Sequence, residues 1–137
     1  MNNATVLLPE GWAPPIGYVN GIAVDAGRIV FVAGQVGWDA QQKFQSADIV
    51  PQFEQALRNV IAVLAEAGGT PQHICRMTAY CCDKPAYMAA RRELGAIWRR
   101  LMGTHYPAMS MVFVSDLLDS PGTIELEATA VVPAMAR

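Results

Sequence analysis

The chain predicts an α+β domain with the element order β-β-α-β-α-β-β, on three observations. Two segments repeat apolar residues at helical spacing, five others are short and strongly apolar, and Gly, Pro and Asp mark the joins between them. The 137 residues suit a single domain, 1–137, without internal repeat, linker or low-complexity tract.

Residues 1–15 read as a lead punctuated by Pro9, Pro14 and Pro15. Two strands follow, Tyr18 to Val24 and Arg28 to Ala33, and Asp25-Ala26-Gly27 predicts a short hairpin connection between them. Gly34 to Asp39 then reads as a glycine-bracketed turn. The first helix is capped by Asp48, carries Pro51 in its first turn and repeats Phe53, Ala56, Leu57, Val60, Val63 and Leu64 at helical spacing. Gly68-Gly69 stops it. Ile74 to Cys82 is the third strand. A second helix starts at Asp83-Lys84-Pro85, carries Tyr87, Leu94, Ile97, Trp98 and Leu101, and ends before Gly103. Met109 to Val114 and Thr123 to Val132 are the last two strands. Two helices cover one face of a sheet of five or more strands, yet the strands are apolar on both faces. A further copy of the chain is the simplest cover for the second face.

A net charge of -2 and a pI near 5.6 exclude the basic face that a nucleic-acid partner requires. No apolar run approaches the ~18 residues of a membrane span, and the N-terminus carries no basic, then apolar, leader pattern. Cys75, Cys81 and Cys82 offer no disulfide framework, which fits a reducing, cytoplasmic setting. His73 and His105 have no Cys or carboxylate at ligand spacing, so no metal site is expected. The cysteines read as small buried hydrophobes. Arg91-Arg92 and Arg99-Arg100 read as a solvated helix face.

The residues that carry chemistry sit in the last strand and the loop before its neighbour. Alternation places Thr123, Glu125, Glu127 and Thr129 on one face and Ile124, Leu126, Ala128 and Ala130 on the other. Two carboxylates in an apolar strand are costly unless paired. One reading is an acid of raised pKa that positions water or moves a proton. The other is a solvated edge or a salt bridge to an arginine. His105-Tyr106-Pro107-Ala108-Met109-Ser110 forms a loop feeding the adjacent strand.

Tyr18-Val19-Asn20-Gly21 and Phe31-Val32-Ala33-Gly34-Gln35 resemble the opening of the YjgF/RidA family. The helix Gln52 to Val60 with Ala67-Gly68-Gly69, the Tyr106-Pro107-Ala108 loop and Ile124-Glu125-Leu126-Glu127-Ala128 extend the resemblance over nearly the whole chain. The resemblance implies a chorismate-mutase-like α+β fold: a mixed β-sheet with two helices on one face, assembled as a homotrimer with small-molecule pockets between subunits. It implies a deaminase that hydrolyses enamines or imines without metal or organic cofactor. Ribonuclease activity, also described in the family, has no basic groove or His pair behind it here.

Carried over by position, Glu125 is the carboxylate that holds the attacking water, Tyr18 a pocket tyrosine and Gly34 the backbone beside the ligand. Two positions depart from the family's active branch. Its substrate-gripping arginine after Pro-Ala is Met109 here, and its serine before Gly-Gln is Ala33. Losing a bidentate charged contact costs on the order of a few kcal/mol of binding. The expected activity is therefore hydrolysis of an imine or enamine other than 2-aminoacrylate, with Met109 and Trp98 or Trp38 as an apolar wall. Arg76, or an arginine of an adjacent subunit, would replace the missing grip. The alternative is a non-catalytic ligand-binding trimer of the same fold.

Overall fold

The computed structural model describes residues 4–134. In chain order its elements are β1 (Ala4–Leu7), β2 (Gly21–Val24), β3 (Arg28–Val36), α1 (Ile49–Ala65), β4 (Ile74–Cys81), α2 (Lys84–Met102), β5 (Ala108–Phe113) and β6 (Ile124–Val132), with a 3-10 turn at Pro71–His73 before β4. Four strands make one sheet in the order β3-β6-β4-β5. β6 lies antiparallel to both its neighbours, while β4 and β5 run parallel, joined by α2 as their crossover. The sheet is mixed and the fold is α+β.

The alternation of β6 organises the packing. Ile124, Leu126, Ala128, Ala130 and Val132 are buried, and the residues between them are half-buried. Met77, Ala79 and Cys81 of β4 join them under α1 and α2, against Leu57, Val60, Leu64, Leu94, Ile97 and Met102. Both helices therefore cover the same face, as expected.

The helix ends follow local chemistry. Asp83 Oδ1 accepts from the Ala86 N–H at 3.0 Å and caps α2. Asp48 stands at the N-cap of α1, but its side chain makes no capping bond. Instead its own N–H donates to Ser46 Oγ at 3.0 Å. Gly68, at φ +76°, lets the chain leave α1 while the Gly69 N–H returns to Leu64 O. His73 closes the following turn, its Nδ1 accepting from the Thr70 N–H at 2.9 Å.

Three features differ from the sequence reading. The lead contains a strand, β1, and β1 rather than β3 is the partner of β2. Asp25-Ala26-Gly27 is thus a passage between two sheets and not a hairpin. Gly27, at φ +144°, crosses so close to β6 that a Cβ there would lie 2.7 Å from Val132 O. Third, the expected turn from Gly34 is partly strand: β3 runs to Val36 through an irregularity between Val32 and Gln35. The main sheet accordingly has four strands, with β1-β2 a separate ribbon.

Gln52 is the one buried polar side chain of α1, and all its hydrogen-bonding capacity is used. Nε2 donates to Ser46 O (2.9 Å) and Pro121 O (3.0 Å), and Oε1 accepts from Thr123 N (2.7 Å) and Thr123 Oγ1 (3.0 Å). Gly37 packs on the helix there, where a Cβ would lie 2.5 Å from Gln52 Cα. Gln52→Leu leaves the half-buried Thr123 amide and two carbonyls without their protein partner, so it is expected to cost on the order of 2 kcal/mol. Urea unfolding of the variant against wild type measures this.

Candidate functional site

The face of the sheet turned away from the helices carries the polar residues. The β4–β6 register sets Thr78 opposite Glu127, Tyr80 opposite Glu125 and Arg76 opposite Thr129. Phe31, Ala33, Arg76, Thr78, Glu127 and Thr129 line a concavity of about 370 Å³ there. The Tyr80 hydroxyl donates to Glu127 Oε1 at 2.6 Å, and this bond raises the tyrosine pKa above its ordinary value.

The two carboxylates, equivalent in the sequence pattern, are thereby distinguished. Glu127 is held by Tyr80. Glu125 has no hydrogen bond or ion pair among the described residues, and its pKa is raised, first by burial and then by the nearby Asp119 and Glu127. The irregularity in β3 brings Gly34 against it, so closely that a Cβ on Gly34 would collide with the Glu125 carboxylate. Only a glycine leaves the backbone this near the acid. Neither carboxylate makes a salt bridge to an arginine among the described residues, and β6 is a central strand rather than an edge.

Tyr18 and Met109 lie elsewhere. β5 pairs with β4 so that Met109 stands beside Met77, a core residue, and its side chain faces the helices. Tyr18 reaches the same place because the Val19 N–H donates to Pro107 O at 3.1 Å, tying the 16–19 segment to β5. Tyr18, Met109, Met111, Tyr87, Ile16 and Gly17 line one groove beside α2. The groove continues over Trp98 and Tyr106, whose rings stack with centroids 5.9 Å apart. Trp98 is therefore part of the apolar wall near Met109, whereas Trp38 packs on Phe44 in the loop after β3.

The five predicted site residues thus fall into two groups on opposite faces of the sheet: Ala33, Gly34 and Glu125 on the open face, Tyr18 and Met109 on the α2 side. Arg76 belongs to the first group and does not stand beside Met109. His105 serves the structure, with Nε2 2.7 Å from Ile74 O and its carbonyl accepting from Trp98 Nε1. Cys75, Cys81 and Cys82 are partly or fully buried, and burial raises their thiol pKa values, which leaves them poor nucleophiles. Arg91 and Arg99, read from the sequence as part of a solvated helix face, are exposed and also line the groove with Met109.

The endoribonuclease L-PSP family model matches residues 12–132. The chain belongs to this family, that of the YjgF/RidA proteins. It is 34% identical to a RutC family protein of Haemophilus influenzae over 109 residues, 80% of this chain and 83% of that one. It is 30% identical over 117 residues to TdcF of Escherichia coli, named as a candidate reactive intermediate deaminase, covering 83% of this chain and 84% of that one. The structure of YyfB from Yersinia pestis, a Rid-family protein of unknown function, superposes with a TM-score of 0.83 at 33% identity, over 95% of this chain and 99% of that one. No helix among the described residues is long and apolar enough to cross a membrane.

Within this YjgF/RidA fold the surroundings oppose the charge of the Glu125 carboxylate. Folding raises its pKa, so its contribution to stability is fully present below the unfolded value and is lost as pH rises through the folded value. Glu125→Gln removes that loss. The variant is expected to melt above wild type at about pH 8 and alongside it at about pH 4, as thermal unfolding at the two pH values will show.

Proposed function

We propose that the chain is a cofactor-independent hydrolase of an imine or enamine, acting in a cleft between subunits of a homotrimer. The observation that carries this reading is Glu125: half-buried, without a hydrogen-bonding partner among the described residues, of raised pKa and set against the Gly34 backbone. A carboxylate so placed accepts a proton from water as the oxygen attacks the C=N carbon, and returns it to the nitrogen that takes up the C=N electron pair. The resulting carbinolamine passes its hydroxyl proton to the amino group, expels ammonia and leaves a carbonyl product. The deaminase description attached to TdcF supports the same reaction class.

The placement of the two residue groups supports an intersubunit site. A pocket holding Glu125, Gly34, Tyr18 and Met109 together needs the β5 edge of one copy against the open face of another. That face has apolar surface to bury: Ile29 is 63% and Phe31 78% exposed. The non-catalytic alternative, a ligand-binding trimer, is favoured by Met109, which puts an uncharged side chain where a grip on a small substrate would stand.

Glu125→Ala is expected to lower imine hydrolysis by at least about a hundredfold, the usual contribution of a positioned acid or base. Steady-state assay of a panel of 2-imino acids generated in situ measures it. Equal rates in wild type and variant would leave the binding-only trimer as the better account. Phe31→Glu places a charge on the face to be covered. It is expected to shift the protein from trimer to monomer in light scattering coupled to size exclusion.

A further inference from the structure

The groove on the Met109 side contains its own cations. Arg91 and Arg99 of α2 both line it, and no acidic side chain does. The neighbouring arginine of the helix is neutralised differently: Arg100 pairs with Glu54 at 2.6 Å. No carboxylate lies within ion-pair distance of Arg91 or Arg99 among the described residues, and both are exposed. Arg91 stands close enough to Tyr87 to oppose the rise that burial causes in the tyrosine pKa.

Gly95 lies between them, one turn from each. A glycine inside a helix weakens it, so its presence calls for a reason. Packing provides none: a Cβ at Gly95 would meet only Arg99 Nη1, at 3.4 Å. The missing side chain instead opens the floor of the groove, and Arg99 lies over the opening. Arg91 and Arg99 are about 12 Å apart along the helix axis; Arg99 Nη1 already stands at the gap above Gly95, whereas Arg91 Nε donates to Met88 O at 3.3 Å and releases that bond to turn toward it. Around that gap stand Met109, Met111 and the stacked Trp98–Tyr106 pair, an apolar and aromatic wall. The groove holds about 430 Å³, more than a three-carbon acid fills.

We infer that this groove binds a monocarboxylate with an aromatic or extended apolar body, its carboxylate held over Gly95 by Arg91 and Arg99 and its body lying on Met109, Trp98 and Tyr106. The cation absent from position 109 is thus supplied by α2. The inference deepens the hydrolase reading by naming its substrate class, and it rests on that reading only for turnover, since binding itself does not require Glu125.

The test is isothermal calorimetry of the full chain with phenylacetate, acetate and the uncharged phenylacetamide. Wild type is expected to bind phenylacetate about tenfold or more tightly than either of the others. The double variant Arg91→Ala/Arg99→Ala is expected to lose that margin by about tenfold or more. Gly95→Leu, which fills the opening and leaves both arginines in the chain, is expected to weaken phenylacetate binding while the circular dichroism spectrum is unchanged. Phenylacetate affinity unchanged in the double variant, or lost in Arg76→Ala instead, overturns the inference. Glu125→Gln separates the two readings. Retained phenylacetate binding with lost imine turnover supports both, and normal turnover in Glu125→Gln sinks the catalytic role of Glu125 while leaving the arginine site standing.

Discussion

The buried amide of Gln52 is the constraint on which the placement of the acid depends. One side chain joins the loop before α1, the Pro121 carbonyl and Thr123, the residue just before β6. It therefore fixes where β6 begins, and Glu125 follows two residues after Thr123. Gly37 permits the close approach of the chain beyond β3 to the same helix. A second α1 amide, that of Asn59, donates to Val36 O (3.1 Å) and Trp38 O (2.8 Å) and holds the end of β3. The helix thus aligns both strands whose backbones meet at Glu125 and Gly34. A fully satisfied buried amide is specific in a way that apolar contact is not, because any other register would strand its donors and acceptors.

The sheet acts as a partition as well as a scaffold. Period-two alternation sends the apolar half of β6 to the helices and the carboxylates to the other face. The same rule applied to β5, through its parallel register with β4, sends Met109 to the helix side. Residues that resemblance groups into one pocket are consequently divided by a backbone layer. The homotrimer we propose would reunite them, the edge strand of one copy meeting the open face of another. The exposed Phe31 and Ile29 give that meeting an apolar driving force.

Much of this was legible in the residues. Helical spacing located α1 and α2 nearly to their ends, whereas the cap was read on Asp48, which makes no capping bond, and not on Asp83, which does. The split of Glu125 and Glu127 from Ile124, Leu126 and Ala128 followed from alternation. The partner of β2 was not legible, because pairing between distant segments depends on packing rather than on the turn between adjacent ones. Nor was the difference between Glu125 and Glu127. Both are acids at equivalent positions, and Tyr80 on Glu127 and the Gly34 backbone against Glu125 set them apart. Gln52 sat unmarked within a helical repeat for the same reason: its partners lie 6 and about 70 residues away.

Local periodicity and residue chemistry were enough to read an α+β domain, its two amphipathic helices, its acidic strand and the uncharged Met109, and the resemblance of its motifs pointed to the YjgF/RidA family. These are properties of neighbours in the chain, which spacing records directly. Folding in three dimensions settled the strand order β3-β6-β4-β5, the isolation of Glu125 beside Gly34, and the gathering of Arg91, Gly95 and Arg99 around the groove of Met109. Those features arise from contacts between segments far apart in sequence, whose registers are chosen by buried area and hydrogen-bond satisfaction summed over the whole molecule.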